Sequence, residues 1–401
     1  MKKSAICIAV LMVFPALALA QNSVTLYGML DAGLTLVNNT GKGRVVETDV
    51  CGPPGCNRWG LKGTEDLGGG TAAIFTLENG FNIQNGHLGQ GGTEFGRQAF
   101  VGFTNAAYGT LTLGRQYDSL SETVGYFPSS NNFATGYGSH FGDLDNLNQS
   151  IRINNAVKYV SPVWKGLQLN GMFSFGGQAG NFATNRTWAL GALYTNGPVS
   201  MAAGYLDINN PATKPDGTGG VYASNGNYVG SLNQYVGLQD AVAMKVFAAG
   251  GSYTIGHAQL GLVYSHTELK DSQYFVVNGF SGAGAGSDFK LDSYEATMTY
   301  NITPALLVGG AYIYNAGKAG YQGLKPNWQQ INLGGSYALS KRTSFYGVAM
   351  YQKAGGDGIA PVFNADGGVI GRTAIAEIPG AGYDSSSSKQ LLFSVGITHK
   401  F

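Results

Sequence analysis

Along most of the chain, apolar and polar residues alternate one by one in blocks of about ten residues. In VTLYGMLDAGLT, one parity holds Val24, Leu26, Leu30, Ala32 and Leu34, and the other holds Thr25, Tyr27, Asp31 and Thr35. LQLNGMFSF sets Leu167, Leu169, Phe173 and Phe175 against Gln168, Asn170 and Ser174. SYEATMTYN and the final LLFSVGITHKF repeat the pattern, with Tyr294, Ala296, Met298 and Tyr300 opposing Glu295, Thr297 and Thr299 in the former. A period of two belongs to extended strands whose faces meet different surroundings. Soluble sandwiches alternate too, so the connections carry the distinction. Short turns at 65–70, 105–109, 161–166, 195–198, 254–257, 301–304 and 340–343 take strict turns with long loops. Those loops lie near 36–56, 81–94, 118–151, 177–185, 207–241, 269–289, 316–326 and 354–388. The rhythm predicts an all-β antiparallel up-and-down barrel of about sixteen strands, with short turns on one rim and long loops on the other. Greek-key crossovers do not produce it.

Composition names the medium. The 401 residues include 63 Gly and 23 Tyr, with 44% hydrophobic and only 12% charged residues. No apolar run reaches the roughly 20 residues of a membrane helix, and the aromatic content excludes a disordered chain. Backbone groups in hydrocarbon must all be paired, so a chain that spans with strands must close. A barrel this wide holds water, which explains a polar inner face without a charged coat. Tyr194, Tyr253, Tyr300, Tyr337 and Phe401 sit near strand ends, as interfacial girdles require.

Lys2 and Lys3, the apolar run 5–19 and Ala18-Leu19-Ala20 predict a cleaved signal peptide over 1–20, leaving 21–401 as the barrel domain. Cleavage leaves 22 basic and 23 acidic residues from the 24 and 23 of the whole chain. That balance points away from nucleic acid. In an exported protein, Cys51 and Cys56 of CGPPGC read as a loop-pinning disulfide; a zinc site or free thiols are the alternatives. The histidines are scattered, the Gly-rich strings lack phosphate-loop spacing, and no nucleophile elbow exists. These absences argue against an enzyme, a metal and any cofactor.

SVTLYGMLDAGL, RWGLKGTEDLGGGTAAIFTLENGF, FGRQAFVGF, GTLTLGRQYD, RINNAVKYVSP, LSKRTSFYG and VGITHKF, in this order, resemble the Gram-negative general-diffusion porins of the betaproteobacterial branch. The resemblance implies an outer-membrane homotrimer of sixteen-stranded barrels, each narrowed by an infolded third loop. It implies passive diffusion of small hydrophilic solutes and ions. It also implies an arginine column facing acids on the loop, and a C-terminal aromatic, Phe401, read by the outer-membrane assembly machinery. By motif, the column is Arg58, Arg97, Arg115 and Arg152. Parity independently puts Arg58 and Lys62 opposite Trp59 and Leu61, and Arg152 and Lys158 opposite Ile153 and Val157. Arg97 and Arg115 share parity with Ala99, Val101, Leu111 and Leu113, and rest on the resemblance. The loop acids would be Asp118, Glu122, Asp143 and Asp145. Such a neck expects a weak anion preference; tethering of the loop to the wall is the plainer role for the same charges. A sugar-selective porin, using Tyr117, Tyr126, Phe127 and Tyr137 as a stacking track, is the alternative.

Overall fold

The alternating blocks form strands that begin and end where the turn residues stand. A computed structural model of the chain describes residues 23–49, 57–211, 235, 237–238, 240–283 and 286–401. The segment 1–20 and the Cys51–Cys56 pair lie outside the described residues. The first strands are β1 (Ser23–Val37), β2 (Val45–Asp49), β3 (Arg58–Gly68), β4 (Thr71–Gly80), β5 (Gln98–Asn105) and β6 (Gly109–Gln116). Next come β7 (Ile153–Val160), β8 (Leu167–Ser174), β9 (Thr187–Asn196), β10 (Val199–Asn209), β11 (Ala243–Ile255) and β12 (Ala258–Ser272). The last are β13 (Ser287–Thr303), β14 (Leu306–Ala319), β15 (Pro326–Ala338), β16 (Thr343–Gly356), β17 (Ala360–Phe363), β18 (Val369–Thr373) and β19 (Lys389–Lys400).

Every neighbouring pair is antiparallel, and β1 pairs with β19 to close the sheet. One edge of β1 meets β3 through residues 23–29 and β2 through residues 33–37. Those two segments therefore occupy a single position, and the wall is sixteen strands round. The gap between them is bridged by a side chain. Asn57 accepts from the Asp31 N–H at 2.7 Å and donates to the Asp31 carbonyl at 3.0 Å, standing in for a missing strand residue. At the seam, Gly28 and Phe401 exchange both backbone hydrogen bonds at 3.1 Å. Asp31 accepts from Thr398 Oγ1 at 2.6 Å and Tyr346 Oη at 3.0 Å.

Two loop expectations are corrected. Segment 36–56 contains β2, because the β-branched run Val45-Val46 continues the ladder with β1. Segment 354–388 contains the β17–β18 hairpin, a separate two-stranded sheet. Strands β12 and β13 also run past the predicted boundaries 269 and 289, for a reason visible in register. Asp207, Lys245, Glu268, Lys290 and Lys318 face one another across β10 to β14 and all point outward. Their inward neighbours Leu206, Val246, Leu269, Leu291 and Ala319 are buried. Above the bilayer the pattern inverts, with charge outside and apolar side chains inside, so the simple membrane alternation breaks while the strand continues. Below this belt, the outward positions of β13 from Tyr294 to Ile302 carry no charge. Asp292 to Ile302 is roughly 33 Å of strand, about 25 Å of bilayer at a tilt near 40°. The long loops, as far as they are described, leave the strands at the end of this charged belt, which makes that rim extracellular.

Candidate functional site: the neck of the channel

Between β6 and β7 the chain turns into the barrel. Asp118 caps α1 (Ser119–Val124) by accepting the Ser121 N–H at 2.9 Å. This short helix lies against β8 to β11, over glycines that leave room for it. A Cβ on Gly191 would lie within 2.5 Å of the Ser119 carbonyl oxygen, and one on Gly204 2.9 Å from Leu120 Cδ1. Further along, Phe133 sits over Gly309 and Gly334 in the same way. Polar ties then pin the loop around the wall. Ser119 Oγ donates to Asn170 at 2.7 Å, the Ser129 N–H to Glu295 at 2.9 Å, and Gln330 Nε2 to the Tyr137 carbonyl at 2.9 Å. These ties hold the segment after β6 against the barrel wall.

The basic residues gather on the facing wall, with one carboxylate among them. Arg97 Nε donates to Glu78 at 2.7 Å, while Arg58 Nε lies 3.7 Å from the other Glu78 oxygen. Tyr27 Oη donates to Glu78 at 2.9 Å, and Lys62 Nζ stands 5.4 Å above the Tyr27 ring centre. Tyr117 continues the stack. The Arg152 guanidinium lies 5.0 Å and that of Arg97 6.0 Å from its ring, and Arg152 donates to its hydroxyl at 3.1 Å. Arg115 donates to the Gly96 carbonyl at 2.8 Å and to Asn154 at 2.7 Å. Lys62 is exposed and the Arg58 side chain keeps 22% of its surface open, whereas Arg97, Arg115, Arg152 and Lys158 are buried.

The poor parity of Arg97 and Arg115 has a structural cause. Arg97 precedes β5 by one residue, so the alternation of that strand does not bind it. Arg115 follows Gly114, whose φ of +136° marks a bulge where the β6–β7 register shifts. A bulge re-aims the next side chain, a freedom no periodicity reports. Parity does expose Glu78, on the lumen side with Thr76 in TLENGF, yet only pairing brings it opposite Gly60, between Arg58 and Arg97.

Of the four loop acids, Glu122 alone meets a basic residue of the wall. It accepts from Lys158 Nζ at 2.7 Å and keeps 27% of its side chain exposed. Asp118, Asp143 and Asp145, expected to face the arginines, turn into the loop or the far wall. Asp118 accepts from Asn146 Nδ2 at 2.6 Å besides its cap, and burial pushes its carboxyl up. Asp143 accepts from the Asn148 N–H at 2.8 Å and Ser150 Oγ at 2.6 Å. Burial, followed by the Asp145 charge, pushes it up to about 7. Asp145 belongs to a buried clasp. It lies 2.5 Å from His140 Nδ1 and accepts from Ser265 Oγ at 2.5 Å, while His140 Nε2 lies 3.1 Å from Glu295. Burial alone would depress the imidazole, but the Asp145 carboxylate holds it up at about 10. The aromatic track is absent as a continuous surface: Tyr117, Phe127 and Tyr137 are buried, and Tyr126 is 63% exposed. Phe401 places its ring over Gly28, where a Cβ has no room.

A family model described as Gram-negative porin matches residues 7–357. An outer membrane porin protein of Bordetella pertussis is 32% identical over 390 residues, covering 88% of this chain and 94% of that one. Outer membrane porin protein 32 of Delftia acidovorans is 29% identical over 415 residues, spanning 100% of both. Among solved structures, an anion-selective porin from Comamonas acidovorans superposes with a TM-score of 0.68 at 23% identity, over 95% of this chain and 100% of that one. The trimer form of OmpT from Vibrio cholerae gives 0.62 at 17% identity, over 95% and 99%.

Proposed function

Because this chain belongs to the Gram-negative porin family and diffusion of small hydrophilic solutes and ions across the outer membrane is its function, we propose that its neck prefers anions. The observation that carries this is an imbalance of charge. Among the described residues, six basic groups converge on the neck, and the carboxylates of Glu78 and Glu122 lie against Arg58, Arg97 and Lys158. Asp118, Asp143 and Asp145 spend their lone pairs on loop and far-wall donors. Buried charges in a low-dielectric wall project their field into the lumen, and Arg58 and Lys62 meet the solute directly. The anion selectivity named for the Comamonas porin of like fold supports the reading. Lys158, through Glu122 and the Tyr117 carbonyl, and Arg152, through the Tyr117 hydroxyl, also tether the loop, so selectivity and tethering share these two side chains.

A salt-gradient reversal potential in a planar bilayer tests this. The wild type should read anion-selective, and Arg58→Gln with Lys62→Gln should move the potential toward cations. An unchanged potential would show that these side chains do not set selectivity. The sugar-selective alternative predicts saturable, sugar-blocked current; burial of all but Tyr126 among its four aromatics weighs against it. A homotrimer is the proposed assembly, supported by the trimeric OmpT of like fold. The proposal extends to a signal peptide over 1–20, a Cys51–Cys56 disulfide, and Phe401 as the signal for the assembly machinery.

A further inference from the structure

On the inner wall, three glutamines stand side by side on neighbouring strands. Gln330 of β15 faces Gln352 of β16, which faces Gln390 of β19. All three are buried. Gln352 Nε2 donates to Gln330 Oε1 at 2.9 Å, and Gln330 Nε2 donates onward to the Tyr137 carbonyl of the neck loop 118–151 at 2.9 Å. At the other end, the Glu377 N–H donates to Gln352 Oε1 at 2.6 Å and the Ile378 N–H to Gln390 Oε1 at 2.7 Å. One row of amides thus holds two segments, the neck loop and the stretch 374–381 between β18 and β19. The two segments also pack together. Ile378 and Ala381 share an apolar cluster with Phe133, Ala134 and Tyr137. A Cβ on Gly380, whose φ is +76°, would stand 3.4 Å from the Tyr137 ring. On the other flank Phe141 stacks on Trp328 at 3.6 Å, and Trp328 Nε1 donates to the Ile375 carbonyl at 3.2 Å. Loops ordinarily run over the surface, because a buried one must find partners for its backbone groups. Ala376, Glu377 and Ile378 are nonetheless buried, and glutamine side chains supply two of those partners.

We propose that the stretch 374–381, acting through Gln330, Gln352 and Gln390, positions the neck loop, so that the width of the neck depends on a segment at the mouth. The three glutamines are positioning residues: they act through the loop and stand apart from the basic wall. Taking one amide out of the row leaves buried groups unpaired, a cost the segments relieve by moving. By linkage, whatever loosens one segment loosens the other. The inference rests on conduction through the neck and not on the sign of its selectivity.

Gln390→Leu tests this, because Gln390 bonds Ile378, Tyr383 and Asn39 and, among the described residues, no atom of the neck loop. Amide hydrogen exchange of the full-length protein in detergent, read by mass spectrometry, should rise severalfold at 374–381 and at 133–141 alike. Single-channel conductance in a planar bilayer should rise as well, since a released loop narrows the neck less. Should Gln390→Leu fail to fold, Ile378→Ala, a change in a loop and not in a strand, carries the same two expectations. Faster exchange confined to 374–381, or wild-type conductance, overturns the proposal. A wild type without anion preference would overturn the selectivity reading alone, because neither exchange nor conductance depends on the sign of the preferred ion.

Discussion

At Glu78, two guanidinium groups and a phenol converge on one carboxylate, so this side chain sets how much of the wall's positive charge the lumen feels. Glu78→Gln should make the channel more anion-selective in a salt gradient. It should also lower the unfolding temperature, because leaving Arg97 buried without its counter-charge costs about 3–5 kcal/mol. The clasp at His140 predicts a pH effect on the same loop. The folded imidazole titrates near 10, above its ordinary 6.5. Its stabilisation is therefore full below pH 6.5 and is lost as pH rises to 10. Asp143, held up near 7, adds a buried charge over part of that window, in the same loosening direction. Open-channel current noise should therefore grow from pH 6.5 to 10, and His140→Gln should flatten the rise.

Strands and loop meet through glycine. Gly191 and Gly204 form the bed of α1, and Gly309 and Gly334 the bed of Phe133. Gly191→Val would collide with Thr123 and Ser119, lifting α1 from the wall. Overpacking of this kind costs about 1–3 kcal/mol. Single-channel conductance and the reversal potential should both change as Glu122 leaves Lys158. A conductance and selectivity identical to the wild type would mean that α1 does not form the neck. The turns and most strand bounds were legible because Gly, Pro, Asn and Ser punctuate the alternation. Strand β2 was not, since 45–49 is short and its partner on β1 lies across a loop. The tops of β12 and β13 were missed because outward charge there inverts the membrane pattern.

For the barrel as a whole, closure is the condition of existence in hydrocarbon: every strand edge must find a partner. The last pair in the seam is Gly28 with Phe401, whose ring fills the space a side chain at 28 would take. Deleting Phe401 should lower the yield in the outer membrane severalfold, while the folded fraction keeps wild-type conductance. Normal yield would contradict the proposal that it is an assembly signal. The opposed faces of the wall divide the labour: the inner face holds loop and ions, the outer face holds lipid.

Alternation together with the rhythm of short turns and long loops determined the fold class and the strand count, and within regular strands parity told which residues face the lumen, because a period of two maps parity directly onto faces. It placed Arg58 and Lys62 on the lumen face without any coordinates. What it could not reach is contact between residues distant in the chain. The meeting of Glu78 with Arg97, the contact of Arg97 and Arg152 with the Tyr117 ring, and the withdrawal of Asp145 to His140 and Ser265 were decided only by the tertiary packing of wall and loop. A bulge at Gly114 and a strand beginning one residue after Arg97 broke parity where the neck is built. Face is a local property of an extended chain; partnership is a property of the closed barrel.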